Sequence, residues 1–282
     1  VRNPFSYHQL SKIELTPSVV DCIVFWTKNP ANMLNKLDLI SGYNYYFQFT
    51  VTGYGTAVER KVPTKAQVIT TFKKLSQKIG ADKVIWRYDP IIINDSFNID
   101  FHKRNFELLA SELEGCTNLC IISFVDLYQK TKRNMRNINV LHDEKSFYDT
   151  AMCLASIAEK HNIKMQACSE FVDLTDAGIE KAKCIDDRLI SHIVGHRIQL
   201  EKDKHQRDCC TCAASIDIGA YNTCRHECLY CYANYSPRRV ENQAKKHHPL
   251  SPLLTGHIEP GDIIVHRKVE SCIDYQIKLF DQ

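Results

Sequence analysis

No apolar run in this chain approaches the roughly 20 residues that a helix needs to cross a bilayer, which argues against a helical membrane protein. No charge of one sign dominates. Lys and Arg total 36 against 33 Asp and Glu, a formal net charge of +3. That balance lacks the basic excess with which proteins hold nucleic acid or an anionic membrane. No secretory leader is visible, and because the sequence opens on Val1 rather than methionine, a missing N-terminal segment is expected. A dinucleotide fingerprint is absent as well: "TGYGTA" (52–57) has neither the spacing nor the following helix that would cradle a pyrophosphate, and reads as a turn.

Cysteine is what the chain has in excess, with 13 in 282 residues. An odd count in a long chain, gathered toward one end, does not resemble the evenly stapled framework of a small secreted domain. The reading is a cytoplasmic protein whose thiols hold metal or do redox chemistry. A hydrophobic content of 44% with 24% charged residues is that of a globular chain with a sizeable core.

Short apolar, β-branched runs alternate with longer amphipathic stretches over the first two thirds, the pattern of βα units. Strands are expected at 21–26, 45–51, 83–90, 120–126 and 163–170, and a sixth, "SIDIGAY", at 215–221. Helices are expected at 64–80, 105–115 and 146–162; in the first, Val68, Phe72, Leu75 and Ile79 share a face and Gly80 supplies a stop. This alternation implies an α/β fold with a mostly parallel sheet. Polar residues gather where the strands end: Thr27-Lys28-Asn29, Thr50, Thr52, Arg87, Asp89, Asp126 and Glu170. That favours a parallel (βα) barrel, with ligands at its carboxyl end. Arg87 and Asp89 share parity and point to one face, as a buried ion pair or a grip on substrate; they and Glu170 are the candidate ligand contacts.

Beyond residue 200 the composition shifts. "EKDKHQRDCCTC" (201–212) is polar and cysteine-rich, 245–262 is rich in proline and turn residues, and "DIIVHRKV" (262–269) reads as a short strand. The expected division is a βα core over 1–205 and a cysteine-rich segment over 206–282, within one structural domain.

Cys224, Cys228 and Cys231 form C-x3-C-x2-C, with Tyr230 before the last cysteine. Structural zinc commonly takes two pairs of ligands from separate segments. Three thiols from one loop suit a cubane iron–sulfur cluster with one iron left open. Zinc or a simple redox site built from the same thiols is the alternative. Cys210 and Cys212, Cys168 at the end of a strand, and Cys184 in the connection after it could complete a second, fully cysteine-ligated cluster; scattered cysteines can equally be small core residues. Cys209 could exchange roles with its neighbour. Cys22, Cys120 and Cys153 read as core, and His192 and His196 as a surface pair.

The cysteine loop is similar to the signature of radical S-adenosylmethionine enzymes. That resemblance implies an open iron that chelates S-adenosylmethionine, and release of a 5'-deoxyadenosyl radical on reduction. In those enzymes the loop follows the first barrel strand; here about 50 residues follow it, which implies a permuted order with the cluster strand last. More broadly, "DCIVFWTKNP", "YYFQFTVTGYG", "VIWRYDPI", "ISFVDLYQKTKRNM", "KDKHQRDCCTC" and "SIDIGAYNTCRHECLYCYAN" resemble successive landmarks of the family catalogued as domain of unknown function 1848. This second resemblance implies a barrel lacking its first strand, and ligation by Cys168, Cys184, Cys210, Cys212, Cys224, Cys228 and Cys231. It implies no substrate.

The function expected from these readings is an iron–sulfur protein with two [4Fe–4S] clusters, acting as a radical S-adenosylmethionine enzyme. Its partners would be an unidentified substrate and an electron donor such as ferredoxin or flavodoxin. The alternatives are a non-catalytic electron carrier and a zinc-stabilised binding module.

Overall fold

Strand–helix alternation between residues 23 and 181 folds into a six-stranded parallel sheet in the computed structural model, which describes residues 1–168 and 172–275. In chain order the elements are β1 (Gln9–Ile13), β2 (Ile23–Thr27), β3 (Tyr45–Thr50), α1 (Lys65–Ile79), β4 (Val84–Ile91), α2 (Ile99–Leu113), β5 (Leu119–Phe124), α3 (Gln129–Asn134), α4 (Glu144–Lys160), β6 (Lys164–Ala167), β7 (Glu180–Lys181), α5 (Asp187–Val194), β8 (Arg197–Ile198), α6 (Pro237–Lys245), β9 (Ile263–Arg267) and β10 (Ile273–Asp274). Short 3-10 turns link several of them.

Local chemistry sets the helix ends. Thr64 and Gln67 form a reciprocal capping box at the start of α1, and Gly80, at φ 97°, follows its last turn. Asn98 caps α2 through the Phe101 amide, and Asp143 caps α4 through that of Ser146.

Strand order in the main sheet is β2-β3-β4-β5-β6-β7, every pair parallel. Space and sequence run in step, so the order never reverses as it does in a doubly wound sheet. Helices α1, α2 and α4 cover one face. Phe72, Phe106 and Leu154 pack there against Phe47, Phe49, Trp86 and Ile122. Burying an aromatic side chain of this kind stabilises the fold by roughly 1.5–3 kcal/mol.

This is the winding of a barrel, but among the described residues β2 and β7 do not pair and the sheet stays open. The expected barrel-like domain, lacking its first strand, is found as an open α/β sheet that does not close. One reason is that β7 is only two exposed residues long. The other is that the chain after it crosses to the second face, where Ile190 of α5 and Ile198 of β8 pack on Tyr46, Ile85 and Ile121.

Of the seven expected strands, six are found within a few residues of their expected limits, residues 169–170 of the one expected at 163–170 lying outside the described residues. "SIDIGAY" is not a strand. Ala213 makes one bridge to Lys202, and the Gly219 amide then donates to Asp217 Oδ1 at 2.7 Å, a local turn that competes with pairing. The expected strand at 262–269 exists as β9, but it pairs with β1 in a separate two-stranded sheet. Among the described residues no helix is long and apolar enough to cross a membrane.

Candidate functional site

The carboxyl ends of the strands bring the chemistry-bearing residues to one edge. Lys28 follows β2, Thr52 follows β3, Asp89 lies near the end of β4, and Asp126 follows β5. Cys168 follows β6, and Cys184 lies shortly beyond β7. In parallel α/β sheets this edge is where ligands bind.

Four thiols from three segments meet there. Cys184, Cys210 and Cys212 are buried together, with the half-buried Cys168 against them. Cys168 Sγ and Cys184 Sγ are 3.2 Å apart, and the Cys184 amide donates to Cys212 Sγ at 3.1 Å. The Cys184 donors hold the Cys212 pKa below the ordinary thiol value, against the effect of burial. Backbone bonds fix the segment: the Ala213 amide donates to the Ile185 carbonyl at 3.0 Å, and Thr211 Oγ1 to the Ala182 carbonyl at 2.9 Å. Tyr46 and Gln48, on the inner face of β3, both donate to the Cys184 carbonyl.

Arg87 is 5% exposed and projects from the same sheet face. Its Nη1 donates to Cys184 Sγ at 3.0 Å, and its Nε to Asp89 Oδ2 at 2.7 Å. Burial would lower the Arg87 pKa, but the charges of Asp89 and the neighbouring thiols drive it well up, so the guanidinium stays charged. Of the two sequence readings of "WRYDP", the geometry shows the buried ion pair, with Nη1 turned to the Cys184 sulfur.

The second group lies on the loop after residue 221. Cys224 is exposed, whereas Cys228 and Cys231 are half-buried. Burial pushes the Cys228 thiol up to about 12, while Lys28 acts in the opposite direction. The loop is shaped by Asn222 and Glu227, both at positive φ, by the Cys231 amide donating to the Cys228 carbonyl, and by Asn234 Nδ2 donating to the Cys224 carbonyl. The Tyr232 side chain is largely exposed, but its hydroxyl is desolvated, and the charges of Tyr221, Cys231 and Asp89 add to the rise in its pKa. Asp89 thus acts electrostatically on Cys168 on one side and on Tyr232 of the cysteine loop on the other.

Among the described residues no three His, Cys, Asp or Glu side chains converge as the ligands of a single metal ion do. The contact between Cys168 and Cys184 is shorter than the ~3.8 Å separating two sulfurs on a tetrahedral zinc with bonds near 2.3 Å. That pair must part to bind metal. By donor chemistry the four thiols still fit an all-cysteine cluster: three are buried, one is half-buried, and they are faced by a cation and an amide that can donate to thiolate sulfur.

Among the described residues, the other candidates do not join these groups. Glu170 lies outside the described residues. His192 stands 3.9 Å from Asp82, and the His196 ring packs on Tyr275. Cys120 is core, Cys153 is half-buried against the same cluster, and Cys22 is half-buried on the other face of the sheet. Sequence reasoning missed Glu59 and Lys65. Glu59 is 2% exposed and accepts from Lys28 Nζ at 2.7 Å, Lys65 Nζ at 2.8 Å, Thr52 Oγ1 at 2.6 Å and the Tyr230 hydroxyl. Burial would raise its pKa, but the two lysines outweigh it and hold the carboxylate at about 2. Among its partners, Lys28 and Thr52 carried a signal as polar residues at strand ends and Tyr230 as the neighbour of Cys231; Glu59 and Lys65 carried none.

Fold and site together define an α/β protein with an open parallel sheet and a group of four cysteines at its carboxyl edge. The chain belongs to the family described as Domain of unknown function (DUF1848), whose match covers residues 1–233 and so includes all seven candidate cysteines. A search of curated proteins finds no match.

Proposed function

We propose that this chain is an iron–sulfur protein of the radical S-adenosylmethionine type. Cys224, Cys228 and Cys231 would hold one [4Fe–4S] cluster, and Cys168, Cys184, Cys210 and Cys212 a second. The observation that carries the reading is the meeting of four thiols drawn from three separated segments at the carboxyl edge of the sheet, with the three-cysteine loop held by the segment that follows β3. When bound, a three-cysteine cluster supplies a low-potential electron and an open iron for S-adenosylmethionine.

The chain's own residues have separable tasks. Arg87 offsets thiolate charge at the four-cysteine group and is kept in place by Asp89. Lys28 brings positive charge toward the three-cysteine loop, favouring its thiolates. Tyr128, Tyr221 and Tyr232 expose aromatic surface beside Cys231, the side from which substrate would approach.

The test is anaerobic reconstitution with iron and sulfide, followed by dithionite and S-adenosylmethionine. Formation of 5'-deoxyadenosine is expected. Reversible reduction with no 5'-deoxyadenosine would replace the enzyme with an electron carrier, and zinc without sulfide would overturn both.

A further inference from the structure

Glu59 belongs to no motif, yet the loop 58–61 is fastened to the cysteine loop at every residue but one. The Leu229 amide donates to the Val58 carbonyl at 3.0 Å, Glu59 and Cys228 form an antiparallel bridge, and the Lys61 amide donates to the His226 carbonyl at 2.9 Å. Lys61 also pairs with Glu227. Beneath this short ladder the Glu59 carboxylate takes the hydroxyl of Tyr230, which lies between Cys228 and Cys231 in the chain. The same Oε1 receives Lys28, whose ammonium lies 5.4 Å from the centre of the Tyr230 ring.

Burying a carboxylate with two lysines does little for stability that apolar packing would not do as well. What such a cluster does supply is a fixed place for each of its partners. Tyr230 is held from below by its hydroxyl and Lys28 is held against its ring, so the segment from Cys228 to Cys231 has one orientation.

We propose that Glu59 is a positioning residue for the three-cysteine loop: through Tyr230 and Lys28 it fixes where the Cys228 and Cys231 thiols point. The inference rests on the proposed function only for the importance it gives that loop; the clamp itself concerns residues whose contacts stand without any bound group.

The experiment is alkylation of the chain under anaerobic, metal-chelated, native conditions, with each cysteine followed by peptide mass spectrometry. Tyr230→Phe removes one hydroxyl and Glu59→Gln removes the charge. Both variants should raise the alkylation rates of Cys228 and Cys231 about tenfold, the scale expected for losing a charge-assisted hydrogen bond to a buried group. Cys168, Cys184, Cys210 and Cys212 should keep their rates. Unchanged loop rates in a folded Tyr230→Phe chain overturn the proposal, as does an equal rise at all seven cysteines, which would mean general loosening. Should Glu59→Gln fail to fold, Tyr230→Phe alone decides. Iron content, measured separately on unchelated protein, bears on the function and not on the clamp.

Discussion

Arg87 Nη1 lies 3.0 Å from Cys184 Sγ, which joins the central strand of the sheet to the four-thiol group through one buried cation. Removing one partner of a buried pair leaves the other charge uncompensated, at a cost of about 3–5 kcal/mol. Arg87→Met is therefore expected to lower unfolding stability by about 3 kcal/mol, read by urea denaturation. Replacing both charges, as Arg87→Met with Asp89→Leu, should recover most of that loss. A double variant as unstable as the single one would show that the ion pair is not the source of the cost.

His102 is fully buried between Tyr88 and the Ile92 carbonyl, with Nε2 donating to the carbonyl and Nδ1 accepting from the Tyr88 hydroxyl. Burial lowers its pKa from 6.5 to about 4, despite hydrogen bonds that favour the charged form. Between those values the unfolded chain binds the extra proton and the folded chain does not. Stability is therefore full above pH 6.5 and falls as pH drops toward 4, by about 3 kcal/mol in all. His102→Gln should flatten that part of the pH–stability curve. An unchanged slope would assign the acid sensitivity to other groups.

Gly53 in the "TGYG" turn passes against α2 so closely that an added Cβ would lie 2.6 Å from Asn105 Cβ. Gly53→Ala is expected to cost about 1–3 kcal/mol through forced displacement of the turn, measured as a lower thermal midpoint. Relief by Asn105→Gly in the same chain would locate the strain; no relief would place it elsewhere.

The two cysteine groups should load separately. Cys228→Ala is expected to lose about half of the bound iron and Cys184→Ala the other half, since each group would supply one cubane. Loss of all iron in both variants would mean that the groups form one structural unit.

Much of this was legible in the sequence, for local reasons. "VIWRYDP" and "CIISFV" read as strands because β-branched and aromatic residues crowd them, and α1 because its four apolar positions share one face. Cys210 and Cys212 were legible as candidates from their C-x-C spacing, Cys168 from its place at a strand end and Cys184 from the connection after it, although the four come together only through the fold. "SIDIGAY" misled because its alternation matches a strand while Asp217 turns back on Gly219. Closure of the sheet was not legible, because it depends on what a two-residue β7 can pair with. Glu59 stayed hidden for the same reason: its partners Lys28 and Tyr230 lie 31 and 171 residues away, and no local period marks such a contact.

The central claim is that two cysteine groups at the carboxyl edge of this sheet each hold an iron–sulfur cluster. Iron and acid-labile sulfide counted on anaerobically purified chain test it most directly. The account predicts about eight of each per chain, the content of two cubanes. Zinc in place of iron, or iron without sulfide, would contradict it.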